Sequence, residues 1–104
     1  MKDLNNISVS GRLTKDVEMK YLTDGTAVSS FSIAVQSWKK DKTDFFNISL
    51  FGKTAELAGE YCKKGKRINL SGRLETNNYE KDGKTVYGFQ IVADYFQMTD
   101  KKEE

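Results

Sequence analysis

Residues 45–51 alternate between apolar and polar positions, and this alternation predicts a β-strand because successive side chains of a strand point to opposite faces. One face is apolar throughout and is formed by Phe46, Ile48 and Leu50. The other face has a large aromatic ring at each end and two polar residues between them: Phe45, Asn47, Ser49 and Phe51. We expect the first face to pack in the core and the second to be a polar, wettable surface.

Similar alternation predicts four further strands, at residues 5–13, 28–36, 66–75 and 84–98. Their inward positions are apolar and comprise Ile7, Val9, Leu13, Phe31, Ile33, Val35, Ile68, Leu70 and Leu74. Asp24-Gly25 and Asp82-Gly83 are turn dipeptides that precede the second and the fifth strand. Glycines within the strands, such as Gly72, predict bulges or sharp bends.

The period changes after Thr54 to that of a helix. The predicted buried face of this helix consists of Leu57, Ala58, Tyr61 and Cys62. Thr54 is the predicted N-cap and Gly65 the predicted stop. Three strands, one helix and two strands are typical of the OB-fold, an all-β, five-stranded Greek-key barrel with one short helix between strands 3 and 4. A small sandwich would fit the same periodicity, but the single helix at this point favours the barrel.

The length of 104 residues suits one domain with one core. We expect this domain to span residues 1–99, followed by a short charged tail at 100–104. Four aromatic residues follow the core periodicities and are predicted to pack inside: Phe31, Phe46, Tyr61 and Phe89. The single Cys62 allows no internal disulfide and is predicted to be a small buried hydrophobe. Without a signal peptide or an apolar run of roughly 20 residues, the chain is expected in the cytoplasm.

The positive charge is concentrated in the middle of the chain, although the formal net charge is only +2. Residues 36–73 hold nine basic and four acidic side chains, whereas residues 74–104 hold four basic and seven acidic ones. The basic region therefore surrounds the aromatic-bearing strand. The alternative interpretation is a set of solvated lysines that bind no partner.

Aromatic side chains in hydrophilic surroundings indicate a surface for unpaired nucleic acid. Phe45 and Phe51 flank a polar strand face that Lys53 follows. Trp38 lies beside Lys39 in a hydrophilic loop, where packing gives little reason for the largest apolar side chain. Flat rings interspersed with cations suit bases and their phosphates. Burial of these rings under a loop or in a subunit interface is the alternative.

An enzyme is not expected. The sequence has no His, one Cys that is predicted to be buried, no glycine-rich loop for phosphates and no suitably spaced carboxylate pair. These residues offer no activated nucleophile, acid–base pair or metal site. We therefore expect no cofactor, no metal and no catalytic residue.

Three segments resemble bacterial single-stranded DNA-binding proteins: Asn6-Ile7-Ser8-Val9-Ser10-Gly11-Arg12-Leu13, Leu50-Phe51-Gly52-Lys53-Thr54-Ala55-Glu56, and residues 64–74 from Lys64-Gly65-Lys66 to Gly72-Arg73-Leu74. They occur in order and at the right separations, and the resemblance extends from about Asn5 to Met98. It implies the OB-fold reached above and assembly as homotetramers. Self-association is expected through the first strand, residues 5–13.

Carried over position by position, the family's base-stacking aromatics fall on Trp38, Phe45, Phe51 and Tyr79. A cross-strand contact in a hairpin is the alternative for Tyr79. The candidate phosphate contacts are Lys39, Lys53, Lys64 and Arg73. The family commonly has Trp at the positions of Phe45 and Tyr79, so less stacking area is expected here. The segment at 75–78, often basic in the family, contains Glu75 and no basic residue.

The sequence thus predicts a protein that binds and protects single-stranded DNA in replication, recombination or repair, associated with the nucleoid of a bacterial host. The alternative is an OB-fold replication accessory, similar to primosomal proteins, that acts mainly by docking other proteins. Family members typically continue into an acidic, apolar-tipped tail that recruits other enzymes. The residues 100–104 have no such tip, so tail-dependent recruitment is not expected.

Overall fold

The computed structural model of the protein describes residues 2–99, and the predicted tail at 100–104 lies outside them. The described part of the chain consists of eight strands and one helix. In chain order these elements are β1 (Ile7–Leu13), β2 (Glu18–Tyr21), β3 (Ala27–Gln36), β4 (Thr43–Phe51), α1 (Lys53–Tyr61), β5 (Arg67–Thr76), β6 (Tyr79–Lys81), β7 (Lys84–Val86) and β8 (Phe89–Met98).

Five of the strands close into a barrel. The sheet order is β1-β5-β8-β4-β3-β2, and β1 also pairs with β3 through Arg12↔Ala34 and Leu13↔Ile33. The β4–β8 pair is parallel, whereas the other pairs are antiparallel. Closure through β1, β3, β4, β5 and β8, with α1 between β4 and β5, confirms the predicted OB-fold.

The barrel core is formed by the inward positions that the alternation predicted. Its buried apolar side chains include Leu13, Phe31, Ile33, Ile48, Leu50, Ile68, Leu70 and Ile91. Phe46, Ile7, Val9 and Val35 are partly buried and pack against this cluster. The predicted alternation of β1, β3, β4 and the first half of β5 is therefore correct.

A β-bulge bends β8 around the barrel. Ser71 pairs with Tyr95 and the next residue, Gly72, pairs with Ala93, which leaves Asp94 as the extra residue of β8. A Cβ on Gly72 would overlap the backbone at Val92, so this position requires glycine. The prediction of a bulge at Gly72 is confirmed, and the bulge supplies part of the coiling that closure needs.

Helix α1 begins and ends earlier than its sequence pattern predicts. Its N-cap is Gly52 rather than Thr54, because β4 runs directly into the helix and the Gly52 carbonyl already accepts a hydrogen bond from the Glu56 N–H. The helix ends at Tyr61, with Cys62 as its C-cap, and Gly65 lies in the turn beyond. The predicted N-cap at Thr54 was wrong, and the helix ends before the predicted stop at Gly65.

The predicted buried face of α1 is rotated from the observed one. Ala55, Ala58 and Cys62 are buried, whereas Leu57 is 40% and Tyr61 57% exposed. The helix packs closely against β3, because the buried Ser29 hydroxyl donates a hydrogen bond to the Ala55 carbonyl at 2.6 Å. Such a close approach leaves room only for the small side chains of the helix.

Two other predicted core residues lie at the open end of the barrel. Phe89, predicted to be buried, is 53% exposed, and Leu74 is also exposed. Phe89 starts β8 opposite Thr76, the last residue of β5, so no further layer of the barrel covers it. Its ring lies 6.3 Å from that of Phe46, which is itself only partly buried.

The predicted fifth strand, residues 84–98, is in fact two strands. Tyr87 and Gly88 separate β7 from β8, and β7 pairs with β6 in a two-stranded ribbon with the predicted turn at Asp82-Gly83. β2 was not predicted. Its four residues alternate between charged and apolar side chains, but the run is short and the structure leaves all four exposed.

Cys62 is a small buried hydrophobe, as predicted. Its Sγ lies 3.6 Å from Sδ of Met98, and burial raises the pKa of the thiol to about 11. Among residues 2–99, no helix has the length and apolar character that crossing a bilayer requires.

Candidate nucleic-acid interface

The long hairpin of β3 and β4 forms the centre of the candidate interface. Nine residue pairs join the strands in continuous register, from Val28↔Phe51 to Gln36↔Thr43. Directly opposed residues of an antiparallel pair share a face. The outward face therefore has the small β3 residues Ser30, Ser32 and Ala34 beside the β4 residues Ser49, Asn47 and Phe45, respectively.

Phe45 and Phe51 stand at the two ends of this face. Phe45 is 67% and Phe51 45% exposed, so both rings present area to solvent. They are six residue steps apart along the strand, which corresponds to about 20 Å. Ser49 was expected to be exposed to solvent on this face, but it is buried. Its hydroxyl donates a hydrogen bond to Oε1 of Gln90 on β8 at 2.9 Å.

Trp38 extends the face at the Phe45 end. It lies in the loop between β3 and β4 and is fully exposed. The loop is closed by backbone bonds from the Ser37 N–H to the Lys42 carbonyl at 3.0 Å and from the Lys42 N–H to the Lys39 carbonyl at 3.4 Å. The Ser37 hydroxyl also accepts from the Lys39 N–H at 3.0 Å. A defined loop therefore carries Trp38 and the exposed Lys39.

Tyr79 belongs to a different element. It lies in β6, where it pairs with Val86 of β7 and is largely exposed. In the described part of the chain, β6 and β7 pair only with each other, so strand pairing does not connect Tyr79 to the β3–β4 face. Its predicted stacking role stays a prediction.

The predicted cations fall in three places. Lys53 starts α1 two residues after Phe51 and is exposed. Lys64 lies beyond the helix, where its N–H donates to Oδ1 of Asp16 at 2.8 Å. The loop at 63–66 that carries it is held to the end of β1 by backbone bonds with Leu13. Lys53 and Lys39 therefore flank the aromatic face, whereas Lys64 lies away from it.

Arg73 is on the same outer surface but is already paired. The registers Ser49↔Val92 and Val92↔Arg73 place it two strands from β4, or about 10 Å. Nη2 of Arg73 lies 2.9 Å from Oε2 of Glu75. Nε of Arg73 donates a hydrogen bond to the same oxygen, also at 2.9 Å. Glu75 therefore offsets the charge that Arg73 was predicted to supply.

Sequence reasoning missed two cations beside the aromatic face. Lys20 pairs with Val28, which pairs with Phe51, so it borders the Phe51 end. Arg12 pairs with Ala34, which pairs with Phe45, so it borders the other end. The alternation of β1 already placed Arg12 outward, but only the register reveals which strand lies beside it.

The chemistry of this surface is that of binding. Among residues 2–99, no group of His, Cys, Asp and Glu side chains is placed to hold a metal ion. Exposed rings on a floor of small residues, bordered by cations, can stack on flat groups and neutralise phosphates.

Comparisons with known proteins identify the family. Residues 4–99 match the profile of the Single-strand binding protein family. The chain is 42% identical over 106 residues to a protein of Fusobacterium nucleatum named single-stranded DNA-binding protein, a match that covers 95% of this chain and 69% of that protein. The chain belongs to the Single-strand binding protein family, as its three motif segments predicted.

Two further relatives agree. Single-stranded DNA-binding protein 1 of Streptococcus pyogenes serotype M18 is 38% identical over 106 residues, covering 96% of this chain and 82% of that protein. A single-stranded DNA-binding protein of Oceanobacillus iheyensis is 38% identical over 105 residues, covering 95% of this chain and 65% of that protein. Membership of a family of binding proteins agrees with the prediction that the chain is not an enzyme.

The exposure of Phe45 generates a prediction about stability. We expect Phe45→Ala to change the free energy of unfolding by about 0.5 kcal/mol or less, because the ring is mostly in solvent. Phe31→Ala is the matched control and should cost about 3–5 kcal/mol, because Phe31 is buried in the core. Urea unfolding followed by circular dichroism measures both. Similar losses for the two variants would mean that Phe45 is covered.

Proposed function

We propose that this chain binds single-stranded DNA without sequence preference, with residues 1–99 as the binding unit. Unpaired bases stack on Trp38, Phe45, Phe51 and Tyr79, and Lys39, Lys53, Lys64 and Arg73 contact phosphates. The observation that supports this most directly is the β3–β4 hairpin, whose outward face has an exposed ring at each end and a third ring on its loop. The names of the relatives point to the same ligand.

The arrangement favours single strands over duplexes. Stacking needs a base whose flat face is free, and every base has such a face, so binding is tolerant of sequence. In a duplex the bases are already stacked on each other. Protection of single strands in replication, recombination or repair, in the cytoplasm of a bacterial host, is the role that such binding would serve.

A fluorescence titration tests the binding mode. We expect an unstructured dT oligonucleotide to quench Trp38, because the exposed indole stacks on a base, and an equal amount of duplex at matched salt to change the signal little. Phe45→Ala and Phe51→Ala should each cost roughly 1–3 kcal/mol of binding. Leu57→Ala, which removes an exposed apolar side chain from α1, is the control and should bind normally. Equal affinity for both forms of DNA would refute the proposal and favour protein docking.

The Arg73–Glu75 pair generates a second prediction. We expect Glu75→Gln to tighten binding roughly two- to fivefold, because exposed pairs contribute up to about 1 kcal/mol and the released guanidinium can turn to a phosphate. Glu60→Gln removes the same charge from the exposed side of α1 and should have a smaller effect. Affinities are compared at one salt concentration. Equal gains in affinity for both variants would mean that only the net charge of the protein matters, and would contradict the proposed role of the Arg73–Glu75 pair.

We also propose that the chain self-associates through β1. One edge of β1 pairs with β5 from Ile7 to Arg12, but pairing with β3 on the other edge starts only at Arg12. The second edge of residues 7–11 is therefore unpaired in the described part of the chain, and an unpaired edge readily pairs with another strand. The side chain of Asn5 exchanges hydrogen bonds of 2.8 and 2.9 Å with the backbone of Leu74, which keeps this edge extended.

Apolar side chains lie beside this free edge, at the open end of the barrel. The β1–β5 and β5–β8 registers bring Ile7, Leu74 and Phe89 to this end, and the partly buried Phe46 joins them through its ring contact with Phe89. A second copy paired along β1 would cover them. We regard this end as the first interface.

A second interface is available on the outer face of β1, β5 and β8. A broad groove of about 490 Å³ lies there, lined mostly by small or uncharged side chains: Ser8, Val9, Ser10, Asn69, Leu70, Ser71, Tyr95 and Gln97. Burying uncharged polar groups costs less than burying charges, and hydrogen bonds across an interface can offset that cost. Two different self-complementary interfaces on one chain generate a homotetramer with three two-fold axes.

Light scattering at micromolar protein tests the assembly. We expect a mass four times the 11.8 kDa of the chain. Phe89→Lys should shift the protein toward smaller species while circular dichroism stays native, because Phe89 is exposed in the single chain but covered in the proposed interface. Tyr87→Lys, a matched change on an exposed aromatic two residues away, should keep the large mass. A wild-type monomer would contradict the proposal.

A further inference from the structure

A groove with two arginines lies on the outer surface next to Phe45. It has a volume of about 210 Å³ and is lined by Gly11, Arg12, Ala34, Gln36, Thr43 and Arg67. The strand registers define its position. Ala34 pairs with Phe45 on one side and Arg12 on the other, and Arg12 pairs with Arg67. Because opposed residues share a face, the ring, the methyl group and the two arginine side chains form one row across β4, β3, β1 and β5.

The floor of the groove is smooth because β1 and β3 approach each other closely. A Cβ on Gly11 would lie 2.5 Å from the Ala34 carbonyl oxygen, so only glycine permits this approach. No large side chain stands between Phe45 and Arg12 in the row, and two strand spacings separate them by about 10 Å. A few nucleotides of an extended single strand cover that distance.

The charges of the groove suit a phosphate. One N–H of Arg12 donates to the Gly65 carbonyl at 3.0 Å, and a guanidinium has five N–H donors, so others can face a ligand. Arg12 is in none of the ion pairs found among residues 2–99. Through Gly65 it contacts the loop at 63–66, which adds Lys63, Lys64 and Lys66 on the far side.

We propose that this groove binds the phosphates of the single strand next to the base that stacks on Phe45. The strand then leaves the aromatic face across β3 and β1, toward the lysines of the loop at 63–66. Arg12 and Arg67 are the phosphate-binding residues, since a planar guanidinium can hold two phosphate oxygens at once. The inference rests on the proposed function. It also explains how Lys64, which lies away from the aromatic face, could contact the same single strand.

Salt-dependent titration of Trp38 fluorescence with a dT oligonucleotide tests the inference. In wild-type protein the logarithm of affinity should fall linearly with the logarithm of salt concentration. Arg12→Gln and Arg67→Gln should each make the slope shallower by about 0.7, the value for one phosphate contact on a single strand, and weaken binding about fivefold at 0.1 M salt. Lys2→Gln, a charge-matched change before the opposite end of β1, should leave the slope unchanged. Arg12→Lys should restore most of the slope because it keeps the charge.

Each contrary outcome has a distinct meaning. Wild-type binding with unchanged slopes in both Gln variants would overturn the groove and leave the proposed function standing. Equal losses in Arg12→Gln and Arg12→Lys would assign Arg12 to holding the loop at Gly65 and would also overturn the inference. Loss of binding together with a lower mass in light scattering would place the arginines in a subunit interface instead. If the wild-type protein did not bind the oligonucleotide, both the proposed function and this inference would be refuted.

Discussion

The register of the β3–β4 hairpin is the constraint on which the candidate interface depends. Its nine pairs decide that Phe45 and Phe51 face outward while Phe46, Ile48 and Leu50 face the core. A slip by one residue would exchange the two faces, exposing Ile48 and burying Asn47. The loss of burial at Ile48 and Leu50 makes such a slip costly, so the packing of the core also orients the two exposed rings. Stability and the proposed binding therefore depend on opposite sides of the same strand.

Most of the barrel could be predicted from the sequence because a period of two reports directly which face of a strand is apolar. The central strands, the Asp24-Gly25 and Asp82-Gly83 turns and the bulge at Gly72 all carry such local patterns. The same patterns placed Phe45 and Phe51 outward, and the structure exposes both rings. These features depend only on residues that are close together in the chain.

The errors share a different cause. Alternation indicates which way a side chain points, but not whether anything covers it there. Phe89 and Leu74 point inward, yet they lie at the end of the barrel where the partner strands stop. Tyr61 and Leu57 follow a helical period, but the helix approaches the barrel so closely that only Ala55 and Ala58 fit beneath it. The neighbours of Arg12 likewise depend on barrel closure, a long-range property that no local window of sequence contains.

The outer wall of the barrel is divided between two kinds of surface. The half formed by β3 and β4 carries the exposed rings, whereas the half formed by β1, β5 and β8 contains a groove that is lined by uncharged side chains. Arg12 and Arg73 lie where the two halves meet, on opposite sides of the aromatic face. A single strand that passed either arginine would come near the uncharged groove, and a second subunit bound there would offer its own rings. Assembly would then lengthen the path of the DNA without enlarging the domain, which is how a barrel with few stacking residues could cover a long strand.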